Sequence, residues 1–170
     1  MRASSRDMSV IELGKPTTRR APFKFSAFTR VGFSDTDAQG IVYYGRYLPY
    51  FDLARVEYLR HLGLLDPDLG PRQFVMRASS VEYHAPAGFD EMLEIFVRIS
   101  RIGKTSLTWT LRAHRVGDDD VRADNVGDDE LMCTADQTLV LVELAERRPA
   151  AIPESFRTIV RDFEAPDLAE

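Results

Sequence analysis

Two aspartates stand two positions apart in the segment SDTDAQG, shortly before a helix-like pattern begins. An aspartate carboxylate can attack a carbonyl carbon or take a proton from water. The first N–H groups of a helix have no partners within the helix, so they can stabilise a negatively charged oxygen. A carboxylate and a helix start that face one cleft would suit acyl transfer. The alternative is a plain turn, in which Asp35 and Asp37 bond only nearby backbone N–H groups.

The segment from Tyr47 to Gly63 predicts the helix that this chemistry needs. Its apolar residues recur every three or four positions and form one stripe, namely Tyr47, Phe51, Ala54, Tyr58 and Leu62. Pro49 is tolerated in a first helical turn, which puts the helix start near residues 45–48, and Gly63 is typical of a helix end. We therefore expect the N–H groups of residues 44–47 to lack helical partners.

Five segments alternate apolar and polar residues or carry apolar runs, which is typical of β-strands. They lie near residues 23–31, 74–83, 92–99, 105–114 and 131–143. The last segment is apolar on both faces over Leu139–Val142, as expected for a central strand. A short final helix is predicted to open with Pro153 in its first turn. This order predicts an α+β fold with one long helix on an antiparallel sheet.

One helix covers one face of such a sheet, so the other face and the edges need cover, and we expect a homo-oligomer. Residues 1–22 show no sustained periodicity and predict a loosely ordered extension. We expect one domain over residues 23–165 and a C-terminal tail over residues 166–170. The acidic stretch Gly117–Glu130 predicts a solvated hairpin loop, because its spacing does not fit the oxygen ligands of a calcium site.

Composition limits the classes of function. The chain has 170 residues, of which 44% are hydrophobic and 29% charged, as is typical of one soluble domain. The net charge of -5 argues against nucleic acid as a partner, and no apolar run is long enough for a membrane span. The first residues lack the apolar core of a secretory signal, and Cys133 is the lone cysteine. A cytoplasmic location is therefore expected.

The sequence shows none of the common metal or nucleophile motifs. The three histidines, His61, His84 and His114, lack the spacing of zinc ligands, so we expect no metal and no cofactor. The GxSxG motif, the Walker loop and the GxGxxG motif are also missing from the sequence. Among the motifs considered, the two aspartates and the helix start remain the candidates for chemistry.

The stretch DTDAQGIVYYGRYLPYFDLARVEYLRHLG resembles the acyl-CoA thioesterases of the hotdog fold. The resemblance is to the branch of 4-hydroxybenzoyl-CoA and tol-pal-associated thioesterases, whose pattern is D-x-D-x-x-G-x-V-Y, then A-R and an L-x-x-L-G helix end. YHAPAGFDEMLEI, SRIGKTSL and IPESFR extend it over residues 23–163. It implies one long central helix wrapped by a five- to six-stranded antiparallel β-sheet, assembled as a homodimer or homotetramer.

The resemblance also implies hydrolysis of an acyl or aroyl thioester to a free acid and coenzyme A. It assigns catalysis to Asp37, as nucleophile or general base, and to the backbone N–H of Tyr44, which would polarise the carbonyl. Many relatives carry histidine at position 44, so a role for that side chain stays open. Asp35 is expected to orient the turn. Substrate contacts are expected from the neighbouring residues Gly40, Tyr43, Gly45 and Tyr47.

Coenzyme A carries phosphates, and the resemblance places its nucleotide end at the hairpin SRIGKTS. The residues expected to bind it are Arg101, Lys104, Thr105 and Ser106. A plain polar hairpin is the alternative. Arg55 and Glu57 on the helix are expected to form ion pairs, either along the helix face or across a dimer. A helix glutamate is the carboxylate of another hotdog branch, which keeps Glu57 as a reserve candidate.

Two other functions stay open. Hydration of enoyl thioesters in related folds pairs an acidic residue with a histidine, and no histidine lies near Asp37 in the sequence. A non-catalytic module would instead bind an acyl thioester or a protein partner. The acyl group, and the choice between coenzyme A and acyl carrier protein, are left undecided. The aromatic residues that could line an acyl pocket or belong to the core are Phe28, Tyr43, Tyr47 and Phe51.

Overall fold

The computed structural model describes residues 13–65, 67–117 and 129–170. Its strands are β1 (Gly14–Pro16), β2 (Phe25–Arg30), β3 (Arg72–Tyr83), β4 (Met92–Ile102), β5 (Ser106–Val116), β6 (Glu130–Glu143) and β7 (Arg148–Pro149). Its helices are α1 (Tyr47–His61) and α2 (Glu154–Glu164), and the short 3-10 turns Phe33–Asp35 and Tyr44–Arg46 precede α1. The elements predicted from periodicity are present, with ends shifted by a few residues.

The strands form one antiparallel sheet in the order β1-β2-β4-β5-β6-β3, with β7 beside β6. β6 pairs with β5 on one side and with β3 on the other, which confirms that Leu139–Val142 lies in an interior strand. β3 pairs with β6 along one edge. Within the described ranges its other edge has no strand beside it, so it ends the sheet.

The apolar stripe of α1 packs on one face of the sheet. Phe51, Ala54 and Tyr58 have no exposed surface, and the ring of Tyr58 meets Trp109 of β5 with centroids 5.1 Å apart. Burying one large apolar side chain contributes about 1.5–3 kcal/mol, so the stripe decides which side of the helix faces the sheet. This is the predicted α+β arrangement, with one long helix on an antiparallel sheet. In the described part of the chain, neither helix is long and apolar enough to span a bilayer.

The C-terminal segment is bound to this body. α2 begins at Glu154, so Pro153 stands just before it rather than in its first turn. Glu164 at its end accepts a hydrogen bond from the hydroxyl of Tyr58 at 2.7 Å. Residues 166–170 were expected to be a tail, but their backbone bonds to the end of β4.

The expectation of a loosely ordered N-terminal extension is wrong for its described part. β1 extends the sheet beside β2. Arg19 forms ion pairs with Glu94 of β4 and with Asp129, and these side chains are 5% exposed or less. Asp129 is therefore not part of a solvated loop. The rest of the extension, residues 1–12, and the acidic residues 118–128 lie outside the described residues.

His114 of β5 lies in the same buried region. Its ring stands perpendicular to that of Phe96, with centroids 5.5 Å apart. Burial, followed by the positive charge of nearby Arg20, lowers the pKa of His114 to about 4. The imidazole is therefore neutral in the folded protein near pH 7.

Acidification should destabilise the fold through His114. The unfolded chain takes up this proton near pH 6.5 and the folded chain near pH 4, so stability falls as the pH drops between these values. The full shift corresponds to about 3 kcal/mol. Urea unfolding between pH 7 and pH 4 measures the loss. His114→Phe keeps a ring against Phe96 and should flatten the profile, whereas an unchanged slope would contradict the assignment.

Candidate active site

The chain between β2 and α1 folds back as a tight loop that carries Asp37. The N–H of Asp37 donates to the carbonyl of Ile41 at 2.9 Å. Gly40 at the tip has a φ of +77°, which L side chains rarely adopt. The second half of the loop attaches to the segment after β3, because the N–H of Val42 donates to the carbonyl of Ala87 at 2.8 Å. The loop therefore holds Asp37 next to the end of β3.

Asp35 is an anchored carboxylate. Its Oδ2 accepts from the N–H of Gly32 at 2.9 Å and from the hydroxyl of Tyr50 at 2.7 Å. Its Oδ1 accepts from Nε of Arg46 at 2.8 Å. Burial by itself raises the pKa of Asp35, but the hydrogen bonds from Tyr50, Gly32 and Arg46 outweigh it, and the pKa is lowered. Asp35 stays charged and ties the loop to the first turns of α1.

Asp37 is half-buried, and one of its two oxygens is engaged. Oδ1 accepts from the N–H of Gln39 at 2.8 Å, the bond of an Asx turn. Among the described residues, no side chain or backbone N–H donates to Oδ2. The turn and the chemical role are therefore compatible, since the turn holds one oxygen and leaves the other open.

Asp37 lines a groove of about 320 Å³ between this loop, the start of α1 and the end of β3. Tyr44 and Tyr47, both predicted site residues, line the same groove. Tyr83 and His84 enter it from the end of β3. The fold thus gathers a carboxylate, a helix start and several polar aromatic side chains into one cleft.

The start of α1 is uncapped. Neither α1 nor the preceding turn has a side-chain hydrogen bond to its N-terminal N–H groups. The expectation that every N–H of this stretch is free is wrong at Arg46, whose N–H donates to the carbonyl of Tyr43 at 2.8 Å. The N–H groups of Tyr44 and Gly45 have no described backbone acceptor. Such N–H groups can donate to a group bound at the helix start.

Of the other predicted substrate residues, only Tyr47 lines the groove. The rings of Tyr43 and Tyr44 are in contact, with centroids 4.2 Å apart and an angle of 41° between their planes. A Cβ at position 45 would lie 3.0 Å from the ring of Tyr43, so glycine allows this approach. Gly40, Tyr43 and Gly45 do not line the groove, although each is next in the chain to a residue that does. Tyr47 is buried, its hydroxyl has no described partner, and burial raises its pKa, so it is a neutral donor.

The remaining aromatic candidates for an acyl pocket lie elsewhere. Phe51 is fully buried in the core. The ammonium group of Lys15 lies over the ring of Phe28, 5.8 Å from the ring centroid. Of these aromatic residues, Tyr47 is the one that lines the groove.

The sequence analysis missed Tyr83 and His84 as members of the site. The Tyr83 hydroxyl donates to the backbone oxygen of Tyr44 at 3.1 Å. The Nε2 atom of His84 lies 3.1 Å from Oγ1 of Thr134. Both residues open the YHAPA segment of the family resemblance, and that signal could have found them. A histidine therefore shares the groove with Asp37, although none is near it in the sequence.

The hairpin predicted to bind coenzyme A lies apart from this groove. Its nominated residues are Arg101, Lys104, Thr105 and Ser106. Thr105 and Ser106 line a cavity of about 620 Å³ with Arg77 and Arg147, two arginines that the sequence analysis did not nominate. Lys104 lines a second cavity, of about 280 Å³. Arg101 lines neither of these cavities.

Arg55 and Glu57 form the ion pairs expected of them. Arg55 pairs with Asp52 and Glu57 pairs with Arg60, each within α1. Neither residue lines the groove of Asp37. Arg55 lines a separate cavity of about 580 Å³ beside the start of β3.

One long helix on an antiparallel sheet is the arrangement of the hotdog fold. The thioesterase superfamily model matches residues 39–121. The acyl-CoA thioester hydrolase YbgC of Escherichia coli is 37% identical over 137 residues, which are 79% of this chain and 92% of that protein. The chain belongs to the thioesterase superfamily.

Solved structures agree with this assignment. A thioesterase superfamily protein from Jannaschia sp. CCS1 aligns with a TM-score of 0.71 at 26% identity, covering 85% of this chain and 86% of its own. A 1,4-dihydroxy-2-naphthoyl-CoA thioesterase from Synechocystis shares the fold, with a TM-score of 0.70 at 20% identity over 83% of this chain and 98% of its own. The predictions of a hotdog fold and of a thioester hydrolase are confirmed.

Asp35→Asn should loosen the start of α1, because Arg46 loses its ion pair. We expect a melting temperature lower by several degrees and a thioester turnover at least about tenfold lower, since the loop carries Asp37. Thermal unfolding and a thiol-release assay measure the two effects. Glu146→Gln removes an exposed ion pair with Arg148 and should change neither. Wild-type stability and turnover in Asp35→Asn would contradict the anchoring role.

Proposed function

We propose that this chain hydrolyses an acyl-CoA thioester to a free acid and coenzyme A. The observation that carries the proposal is the shared groove of Asp37 and the uncapped start of α1. The E. coli relative, which is named an acyl-CoA thioester hydrolase, supports the same substrate class. The lone Cys133, which is buried, supports a cytoplasmic setting.

Two routes use the same residues. In the first, Oδ2 of Asp37 attacks the thioester carbon and expels the thiolate, and water then cleaves the mixed anhydride. In the second, Asp37 takes a proton from a water molecule that attacks the carbon. In both, the N–H groups of Tyr44 and Gly45 stabilise the oxyanion, and one such donor contributes on the order of 3 kcal/mol. The buried hydroxyl of Tyr47 offers a further donor to the substrate.

Asp37→Asn should lower kcat at least about a hundredfold while substrate binding stays within a few-fold, because the amide is neither nucleophile nor base. Release of free thiol from acyl-CoAs that differ in chain length and ring substitution measures turnover and identifies the acyl group. The same panel on acyl carrier protein compares the carriers. Glu57→Gln tests the reserve carboxylate and should keep turnover. Near-normal turnover in Asp37→Asn would contradict the assignment of Asp37 as the catalytic carboxylate.

Hydration of an enoyl thioester is the second candidate function. The position of His84 in the groove of Asp37 favours it, while membership of the thioesterase superfamily favours hydrolysis. The two reactions differ in their products. Loss of enoyl absorbance without thiol release would support hydration, and binding without either change would support a non-catalytic module.

We infer that two copies of this chain pair through the free edge of β3. An unpaired strand edge presents a row of N–H and C=O groups that another strand can satisfy. β3 is 12 residues long and mostly exposed, so it offers a long edge. Antiparallel pairing about its midpoint gives a two-fold dimer.

This dimer would bring the hairpin of one copy close to the groove of the other. Within one chain, Ser106 of the hairpin lies level with Val75 of β3, because both pair with β6 at the same position. Val75 is about 26 Å from Tyr83 along β3, and Ser106 is two strand spacings to the side, so Ser106 and Tyr83 are about 28 Å apart. In the dimer, Tyr83 of one copy and Ser106 of the other are about 10 Å apart along the strands and three strand spacings apart across them. The distance between them is therefore about 17 Å. We therefore propose that coenzyme A extends from Asp37 of one copy to the partner's hairpin. There it would contact Arg101, Lys104, Thr105 and Ser106.

Mixed dimers test this arrangement. Two variants are each expected to have low thioester turnover. One carries Asp37→Asn, and the other carries both Arg101→Ala and Lys104→Ala. In a mixed dimer, one site combines an intact Asp37 with an intact partner hairpin, so about half of the wild-type turnover should return. Differently tagged chains, co-expressed and doubly purified, supply the mixed dimer, and light scattering gives its mass. Absence of recovery would place both groups of residues in one chain's site.

A further inference from the structure

A hydroxyl group from the sheet meets the backbone at the helix start. Tyr83 donates to the carbonyl oxygen of Tyr44 at 3.1 Å. That oxygen belongs to the peptide group whose N–H is the N–H of Gly45. Because a peptide group is planar, a bond to its oxygen helps to fix the direction of its N–H. The same bond polarises the peptide and makes the N–H a stronger donor.

Tyr83 is 50% exposed, and its position is set by the end of β3 and by its ring contacts. It is the last residue of β3 and lies opposite Cys133 of β6. The N–H of the next residue, His84, continues the hydrogen bonding to β6. The ring of Tyr83 packs on Tyr44 and Tyr47, with centroids 6.5 Å and 5.8 Å apart. A sheet strand therefore carries this hydroxyl to a turn that has no side-chain cap.

We propose that Tyr83 is a positioning residue that orients the N–H of Gly45 toward the thioester oxygen. The inference rests on the thioester hydrolysis proposed above. The hydroxyl acts through the Tyr44–Gly45 peptide and does not touch the reacting atoms. Among the described side chains, Tyr83 is the one that bonds this peptide.

The hydroxyl is in the protonation state that this role needs. Burial, followed by the nearby Cys133 and Tyr44, raises the pKa of Tyr83 above its usual value. The group therefore remains a donor at neutral pH. A tyrosinate would repel the carbonyl oxygen of Tyr44 and release the peptide.

Tyr83→Phe tests the role, because it removes the hydroxyl and keeps the ring. We expect kcat to fall about tenfold with KM within twofold of wild type, since the N–H acts on charge that develops in the transition state. Tyr58→Phe is the matched control. It removes another hydroxyl hydrogen bond, to Glu164 at 2.7 Å, and should leave kcat unchanged. An unchanged kcat in Tyr83→Phe, or a raised KM alone, would overturn the proposal.

A second measurement needs no substrate. In NMR spectra of the ligand-free protein, the backbone amide of Gly45 should change its chemical shift in Tyr83→Phe but not in Tyr58→Phe. Its hydrogen should also exchange faster with solvent in Tyr83→Phe alone. An unmoved Gly45 amide overturns the proposal, whatever the kinetics. If the wild type releases thiol from no acyl-CoA, the proposed function fails. The Gly45 amide still decides whether Tyr83 positions this peptide.

Discussion

The buried carboxylate of Asp35 is the interaction on which the site depends. Its donors come from both sides of the loop, with Gly32 before it and Arg46 and Tyr50 after it. Separating the loop from the helix start would leave these buried polar groups without their hydrogen bonds, which is unfavourable, although the exposed side of Arg46 reduces the cost of breaking its ion pair. Asp37 lies two residues further along and takes its position from this anchor. In the proposed mechanism, Asp35 holds the loop and Asp37 carries out the chemistry.

The N-terminus of α1 lacks a stabilising side-chain cap. A side-chain cap at an N-terminus typically contributes about 1 kcal/mol, and α1 has none. A cap would occupy the N–H groups that the proposed chemistry uses, such as that of Gly45. The helix is held instead by its buried stripe, in which Phe51 and Tyr58 are fully covered. Because the stripe lies along the body of the helix, it stabilises α1 without closing its first turn.

Periodicity was sufficient to predict α1 and the long strands, because their buried faces repeat at fixed intervals. It could not reveal β1, whose three residues are too few to show a repeat. Nor could it pair Arg19 with Asp129, since nothing local links positions so far apart. Asp37 could be nominated from the sequence because it is close to the helix start and is the second aspartate of the family pattern. Tyr83 and His84 reach the groove only through the register of β3 on β6, which no local pattern encodes.

The two edges of the sheet differ in a way that bears on assembly. β1 is three residues long and ends in Pro16, which has no N–H to donate, so this edge resists a further strand. β3 is 12 residues long and unpaired on its outer side within the described chain. A sheet with one blunt edge and one open edge favours a closed pair over a growing stack of strands. Because β3 also carries Tyr83 into the groove, the surface that would close the dimer and the surface that would shape the site belong to the same strand.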